Sequence, residues 1–387
     1  MKKLPLGIQC FREIVTCNYF YIDKTKYIYK LINGAKYFFL SRPRRFGKSL
    51  LLDTISEVFS GDRELFKGFW IYGSDYNFPK HPVIRLDMSN ISNNSPSVLE
   101  ASLFDDLRIK AESEGIDITD QNPANVFKRL IMGLYKKYGR QVAVLIDEYD
   151  KPILDQLSDI ATAEANRQVL MGFYGILKSM DPYLCFIMIT GVTKIIKSSI
   201  FSGLNNLLDI TLSEEFANIC GFPTDCLCEH FGEYIADLYT CKAFMETDDI
   251  HNKILEWYDG YSWDGATKLL NPYSLLSFFE QKRFGSYWYE SGAPWFLIDI
   301  IKKKPASFIS LKNLEFEEWM LDAFDIHKIE AEPLMFQTGC LTIKEVVPTD
   351  GAPIYVLDIP NFEVRNAFNL QIVSGLTESG DVGTGRA

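Results

Sequence analysis

Short, mainly apolar runs in the first half of the chain alternate with longer segments of mixed polarity. The apolar runs predict five strands, at 36–40, 83–87, 142–147, 183–190 and 206–212. The segments between them have compositions and spacings compatible with helices, at 48–59, 97–113, 124–138 and 163–180. The uninterrupted apolar run at 142–147 is typical of a strand buried on both faces. Strands that alternate with helices indicate a parallel sheet, so we expect an α/β fold.

The pattern changes after residue 212, where the chain becomes mostly helical and rich in aromatic residues. Two further strands are predicted in EPLMFQTGCLTIKEV and PIYVLDIP, joined by a turn near Asp350 and Gly351. The last residues, SGLTESGDVGTGRA, are rich in glycine and poor in apolar residues, which favours disorder. We therefore expect an α/β domain at 1–212, a helical lid at 213–300, a winged-helix-like α+β region at 301–369 and a disordered tail at 370–387.

Composition narrows the class of protein. The 387 residues are 47% hydrophobic and 24% charged, which excludes a disordered chain. Apolar runs fall far short of the ~20 residues that span a bilayer, and the N-terminus does not read as a signal peptide, so we expect no membrane partner. Eight scattered cysteines are best interpreted as free thiols, which predicts a cytoplasmic location.

Charge is distributed unevenly along the chain. The net charge is −11, yet the first 50 residues contain 11 Lys and Arg residues against two acids, Glu13 and Asp23. A positive segment in an acidic protein predicts a local anion site. The acidic remainder gives no support to DNA binding, and the sequence leaves nucleic-acid contact undecided.

The segment RPRRFGKS, residues 42–49, carries the strongest chemical signal. It lies between a predicted strand and a predicted helix and matches the end of a phosphate-binding (Walker A) loop, with Arg42 at the position of the first glycine. Gly47 admits the phosphate, Lys48 reaches the β- and γ-phosphates, and the Ser49 hydroxyl is suited to Mg²⁺. The alternative is a basic turn before an amphipathic helix. The predicted nucleotide-binding residues are Arg44, Arg45, Phe46, Gly47, Lys48, Ser49 and Leu50.

Two acidic residues follow the buried strand VAVLID. Asp147 is the predicted Walker B acid, which holds Mg²⁺, and Glu148 is the predicted general base for the attacking water. The alternative is a capping pair that starts the next turn. Thr190 ends another strand and is predicted to contact the γ-phosphate or the water, with Thr193 and Lys194 as neighbours that share the task. The alternative for Thr190 is a strand-end cap.

Seven sequence segments, spread over about residues 4–369, occur in the order found in one protein family. They include GIQCFREI, FFLSRPRRFGKSLLLDT, VAVLIDEYDKPI, WYDGYSWDG, LMFQTGCLTI and YVLDIPNFEVRNAF. In these segments the sequence resembles the bacterial AAA-ATPase-like proteins, P-loop ATPases related to the AAA+ and STAND groups. The resemblance implies RPRRFGKS as the family's own form of the loop, the strand order 5-1-4-3-2, and adenine over guanine.

The same resemblance raises the question of a second domain, because such proteins often continue into a PD-(D/E)XK nuclease-like domain. The only similar signature here is Glu280-Gln281-Lys282, in a helical stretch, and we reject it as a nuclease site. The expectation is a truncated form that lacks the nuclease-like domain.

Three weaker signals have ordinary explanations. Cys220, Cys226, Cys228 and His230 are closely spaced, but the spacing is not that of a common zinc site, and we interpret them as thiols on a helix. The aromatic, basic segment 18–31 either lines an adenine pocket or packs on the sheet, and we favour packing. The aromatic residues between 250 and 300 are expected in the core rather than in base stacking.

These observations predict Mg²⁺-dependent ATP binding with slow hydrolysis that drives a conformational switch. The switch is expected to act on an unknown protein partner or through self-association. Two alternatives remain open: a nucleotide-binding scaffold without turnover, and a P-loop phosphotransferase.

Overall fold

A computed structural model describes residues 1–194, 201, 204, 206–245, 247–292, 313–322 and 331–378. Its first helices are α1 (Phe11–Thr16), α2 (Thr25–Ile32), α3 (Lys48–Ser60), α4 (Pro96–Ser113), α5 (Pro123–Tyr138), α6 (Lys151–Leu154) and α7 (Ile160–Ser179). Later helices are Cys226–His230, Gly232–Thr240, Ile250–Tyr258, Pro272–Gln281, Tyr287–Gly292, Glu318–Asp322, Ala331–Thr338 and Phe362–Glu378. The strands are β1 (Tyr37–Ser41), β2 (Val83–Asp87), β3 (Val142–Asp147), β4 (Leu184–Gly191), β5 (Leu208–Asp209), β6 (Phe222–Pro223), β7 (Leu269–Leu270), β8 (Leu314–Glu317), β9 (Thr342–Val347) and β10 (Ile354–Asp358).

Five parallel strands form the main sheet, in the order β5-β1-β4-β3-β2. This confirms the expected order 5-1-4-3-2, and the bounds of β2 and β3 agree with the predicted 83–87 and 142–147. The fifth strand is shorter than the predicted 206–212, because only Leu208 and Asp209 pair with β1. A loop joins β1 to α3, so the sheet, its order and this loop together give a P-loop NTPase fold.

The register of the sheet aligns the strand ends that carry polar residues. Leu40 pairs with Thr190, and Asp87 pairs with Asp147. Every residue of β3 is buried, as expected for a strand covered on both faces. The carboxyl ends of β1, β2, β3 and β4 therefore lie at one edge of the sheet, where open α/β sheets bind their ligands.

The C-terminal half packs on this sheet and adds a second apolar cluster. Residues such as Trp263, Trp288, Met335 and Phe368 belong to the same continuous core as the sheet strands. The second cluster joins the helices Cys226–His230, Gly232–Thr240, Ile250–Tyr258 and Pro272–Gln281, the region predicted to be a helical lid. Phe20, which precedes α2, is buried in this second cluster, and Leu4, Leu6 and Ile22 pack against it.

Two predictions for the C-terminal region need correction. The segment Ala331–Thr338 is a helix, whereas its apolar run EPLMFQT predicted a strand. Six consecutive residues of this helix, 333–338, are buried, and burial on every side removes the periodicity that distinguishes a helix. The helix Phe362–Glu378 extends nine residues into the segment predicted to be disordered, and 379–387 lie outside the described residues.

A three-stranded antiparallel sheet, in the order β8-β10-β9, accompanies these helices. The predicted turn near Asp350 and Gly351 joins β9 to β10. The predicted boundary between 300 and 301 falls outside the described residues. In the described part of the chain, no helix combines the length and apolar character needed to cross a membrane.

Candidate nucleotide site

The loop between β1 and α3 has the backbone of an anion-binding loop. Gly47 caps α3 with φ 91°, a left-handed conformation that favours glycine, and Arg45 also has a positive φ of 67°. No side chain caps α3 within the described structure, and the first N–H groups of a helix have no acceptor inside the helix. These donors and the positive end of the helix dipole are available to a phosphate group.

Lys48 spans the loop from the start of α3 back to the end of β1. Its Nζ donates hydrogen bonds to the carbonyl oxygens of Arg42, at 2.9 Å, and Pro43, at 3.0 Å. The side chain is buried, and Lys48 lines the same cavity as the other residues of the loop. The lysine is therefore held in the loop by neutral acceptors, which an anionic ligand can replace.

Arg42, which stands at the first glycine position, lies beneath the loop. Nη1 donates to the carbonyl oxygens of Ser41, at 2.9 Å, and Thr211, at 2.8 Å, and the guanidinium stacks over Trp263 at 4.2 Å from the ring centroid. Burial lowers the pKa of Arg42 to about 10. Nε and Nη2 have no hydrogen-bond partner in the described part of the chain. Arg42 thus supports the loop from inside the protein.

Asp147 and Thr190 meet at the carboxyl ends of neighbouring strands. The Thr190 hydroxyl donates to Oδ1 of Asp147 at 2.5 Å, and the Glu148 N–H donates to the same oxygen at 3.1 Å. Both bonds use Oδ1, so Oδ2 of Asp147 remains for a ligand as far as the described residues show. Thr190 holds the carboxylate, and its predicted contact with the γ-phosphate stays a prediction.

Glu148 occupies a strained turn directly after the strand. Its φ is 51°, which is uncommon for a residue other than glycine. The pKa of its carboxyl is raised, chiefly by burial, while the nearby Lys48 ammonium opposes the rise. The buried Asp150 carboxylate fixes the turn by accepting hydrogen bonds from the N–H groups of Val192 and Thr193 and from the Thr193 hydroxyl. Thr193 therefore serves Asp150 rather than Asp147.

Lys194 also has a structural partner. Its Nζ pairs with Oδ2 of Asp209 at 3.0 Å, and its N–H donates to the side chain of Gln337. Thr190 is therefore the residue of the predicted group 190, 193 and 194 that contacts Asp147.

A cavity of about 420 Å³ opens at this edge of the sheet. Its polar wall contains the whole predicted loop from Arg44 to Leu50, together with Glu148. Sequence reasoning missed Ser89 and Lys151, which line the same wall. Ser89 follows the end of β2 by two residues, and Lys151 follows the end of β3 by four. This closeness to a strand end is the sequence signal that indicates both residues.

The remaining residues that line the cavity, here called the apolar wall, are mainly apolar and come from separate parts of the chain. Its residues are Pro5, Leu6, Gly7, Ile8, Gln9, Phe20, Tyr21, Ile22, Lys24, Ile219, Cys220, Gly221, Phe222, Pro272, Tyr273 and Leu276. In segment 18–31, α2 packs through Ile28 and Leu31, as the favoured interpretation expects. Phe20, Tyr21, Ile22 and Lys24 line the cavity, and the adenine pocket stays a prediction.

Aromatic residues of the C-terminal half support the loop directly. Trp288 donates its indole N–H to the Arg44 carbonyl oxygen at 2.9 Å, and Phe46 packs edge-on against Tyr261 and Trp263. Tyr261, Trp263 and Trp288 are buried in the core, as expected for this region, whereas Tyr273 is partly buried and lines the cavity.

A close approach of backbone to the loop occurs at Gly339. A Cβ atom there would lie 2.7 Å from Pro43 Cγ, so a glycine permits the contact between this part of the C-terminal half and the loop.

The four soft side chains weighed as zinc ligands lie in different surroundings. Cys220 lines the cavity, and Cys226 is buried in the second apolar cluster. Cys228 is exposed, with its sulfur 3.1 Å from Nε2 of His251, and His230 lies beside Glu229. No group of three or more potential ligands that could hold a metal occurs among the described residues.

Comparisons with known proteins show the family to which the chain belongs. A family model described as Predicted AAA-ATPase matches residues 5–201. An uncharacterized protein from the vnfD 5′ region of Azotobacter chroococcum mcd 1 is 37% identical over 369 residues, which make up 95% of this chain and 69% of that protein. The Aeropyrum pernix ORC2 protein (ADPNP-ADP complexes) aligns over 90% of this chain and 93% of its own, at 10% identity and a TM-score of 0.32, a similarity too low to transfer its properties. By its family match and its relative, this chain belongs to the AAA-ATPase-like family.

Proposed function

We propose that this protein binds ATP with Mg²⁺ and hydrolyses it slowly. One observation carries the proposal: the loop 44–50 and Glu148 line one cavity, and the Asp147 carboxylate accepts from the Glu148 N–H. A phosphate-binding backbone beside two acidic residues has the parts that phosphoryl transfer to water requires. The family to which the chain belongs, described as Predicted AAA-ATPase, supports the same reaction.

Binding of the triphosphate rests on the loop. The N–H groups around Gly47 and the start of α3 supply hydrogen-bond donors, and Lys48 supplies a cation within the same cavity. Arg44 and Arg45 add positive potential, with Arg45 held over the Tyr273 ring at 4.8 Å.

Mg²⁺ suits the oxygen donors of the site. The Ser49 hydroxyl and the Asp147 carboxylate are hard ligands of the kind that hold Mg²⁺ beside substrate phosphates. When bound, the ion neutralises charge on the phosphate oxygens. Thr190 fixes the orientation of Asp147 through their hydrogen bond.

Hydrolysis is assigned to Glu148. Its carboxylate accepts a proton from the attacking water while the water oxygen bonds to the γ-phosphorus and the bond to the leaving β-phosphate oxygen breaks. The strained turn and the anchoring of Asp150 hold Glu148 in position for this role.

The contacts between the loop and the C-terminal half supply a route for a conformational switch. Trp288 and the aromatic pair Tyr261 and Trp263 contact the loop, so a change of the loop on hydrolysis shifts residues outside the α/β domain. We propose that this movement acts on a protein partner or on a second copy of the chain. The proposed setting is the bacterial cytoplasm, where thiols stay reduced and ATP is present.

The test is Mg²⁺-dependent phosphate release from ATP, measured together with nucleotide binding. Wild type is expected to release phosphate, and Glu148→Gln to keep binding while its turnover falls at least ~100-fold. Binding without turnover in both proteins would favour the scaffold alternative. Transfer of the phosphate to an acceptor other than water would favour the phosphotransferase.

A further inference from the structure

Lys24 is a nine-tenths buried lysine in the wall of the nucleotide cavity. Its Nζ donates one hydrogen bond, to the Asn218 carbonyl oxygen at 2.8 Å. An ammonium group has three donors, so two are left without an acceptor in the described part of the chain. Burial lowers the pKa of Lys24 to about 8, which reflects the cost of keeping this charge out of water.

Asp23 and Asp225 favour the charged form of Lys24 by Coulomb attraction, but burial outweighs them and lowers its pKa. Asp23 accepts from the Thr25 N–H through Oδ1, at 2.8 Å, and from the Trp70 N–H through Oδ2, at 2.6 Å. Both carboxylate oxygens therefore accept from backbone N–H groups, one in the same segment and one in a distant part of the chain. No ion pair joins Asp23 to Lys24 among the described residues.

Two thiols near the ammonium group are uncharged. Burial raises the pKa of Cys226 to about 12, and it also raises the pKa of Cys220. Both thiols are therefore protonated at neutral pH and give Lys24 no counter-charge. The lysine faces the cavity with donors that a ligand can use.

Lys24 belongs to the apolar wall of the cavity rather than to the loop 44–50. It follows Phe20 and Ile22 in the chain and binds the segment that leads into Phe222, all of which lie in the apolar wall. Phe20 and Phe222 pack edge-on at 6.2 Å. An apolar wall with one buried donor fits a flat heterocycle with a ring-nitrogen acceptor better than a phosphate chain.

We propose that Lys24 reads the nucleobase of the bound nucleotide by donating a hydrogen bond to a ring nitrogen of a purine. This inference rests on the proposed nucleotide-binding function and names a residue that sets its specificity. The apolar wall provides contact area for any base. Lys24 adds binding energy only for a base whose ring nitrogen can accept its hydrogen bond.

The experiment compares Mg²⁺·ATP with Mg²⁺·tripolyphosphate, which lacks the base and the sugar. Binding of both is measured by calorimetry for wild type, Lys24→Met and the control Lys26→Met, an exposed lysine outside the cavity lining. Lys24→Met is expected to weaken ATP binding ~10- to 100-fold, the usual effect of a charge-assisted hydrogen bond, and to leave tripolyphosphate binding within about twofold. The control is expected to match wild type.

The outcomes separate this inference from the function on which it rests. Failure of wild type to bind either ligand would reject the proposed function itself. Wild-type binding of both, with Lys24→Met weakening both equally or neither, would overturn the role of Lys24 alone.

A second measurement uses unaltered protein, so it does not depend on the folding of a variant. Wild type is titrated with 1-deaza-, 3-deaza- and 7-deaza-ATP, each of which lacks one ring acceptor. One analogue is expected to bind ~10-fold or more weakly than ATP. If all three analogues bind with the same affinity as ATP, the proposal is overturned.

Discussion

The Thr190 hydroxyl, on β4, donates a hydrogen bond of 2.5 Å to Oδ1 of Asp147, on the neighbouring strand β3. Both residues are buried; Asp147 is the last residue of β3 and Thr190 the second-last residue of β4. A buried carboxylate with one oxygen fixed in this way keeps a single orientation. The relationship makes Thr190 a positioning residue for the proposed metal ligand.

Replacing Thr190 by valine keeps the volume of the side chain and removes the hydrogen bond. Thr190→Val is expected to lower phosphate release ~10- to 100-fold, because a bond to a charged group is worth about 1.5–3 kcal/mol. Nucleotide binding without Mg²⁺ is expected to change little, and Thr190→Ser is expected to restore turnover. Unchanged turnover in Thr190→Val would show that Asp147 needs no such support.

Trp288 connects the C-terminal half to the loop through its bond to the Arg44 carbonyl oxygen. Trp288→Phe retains most of the buried ring and removes this bond. We expect nucleotide affinity to fall about fivefold, in line with the loss of about 1 kcal/mol. Trp257→Phe is the matched control, since Trp257 packs on Phe284 and Phe362. Equal effects of the two variants on affinity would contradict a specific link through Trp288.

Replacement of Arg42 shows whether the first position of the loop, which is glycine in the general motif, depends on arginine in this protein. Arg42→Gly is expected to lower the free energy of unfolding by about 2–4 kcal/mol, because it leaves a void under the loop and removes the bonds to Ser41 and Thr211. Arg42→Met is expected to cost less, since it fills the space and removes the unpaired Nε and Nη2 donors. Urea unfolding measures both. A glycine variant as stable as wild type would show that the arginine gives the loop no support.

Nucleotide affinity should depend on pH through Lys24, whose pKa is about 8. The charged and titratable groups around it are Asp23, Asp225, Cys220 and Cys226. A ring nitrogen of the nucleobase that accepts a hydrogen bond from Lys24 favours the protonated amine and raises its pKa. Above about pH 8, Lys24 therefore takes up a proton when the nucleotide binds. Affinity for ATP is therefore expected to fall as the pH rises through about 8, and this fall is expected to be absent in Lys24→Met. The same fall in both proteins would assign it to another group.

Sequence reasoning succeeded where one local pattern determines one structure. The apolar run at 142–147 is long enough to be a strand and is buried at every position, so its bounds could be read directly. Gly47 likewise has one conformation compatible with the loop. The order of the five strands came from the resemblance to a family, because the periodicity of single strands carries no information about their neighbours.

The remaining features depend on contacts between distant segments. The helix at 331–338 was mistaken for a strand because tertiary burial removed its polar face. Lys24 and Cys220 line one cavity although 196 residues separate them in the chain. The bond between Trp288 and Arg44 joins parts of the chain that share no local signal. Such pairings become visible only when the chain is folded.

The central claim is that the loop around Lys48 binds the phosphates of a nucleotide. The most direct test is calorimetric titration of Mg²⁺·ATP into wild type, Lys48→Ala and the exposed-lysine control Lys26→Ala, with folding checked by thermal unfolding. Wild type and the control are expected to bind ATP equally, while folded Lys48→Ala binds about a hundredfold more weakly or not at all. Normal ATP binding by folded Lys48→Ala would contradict the assignment of the site.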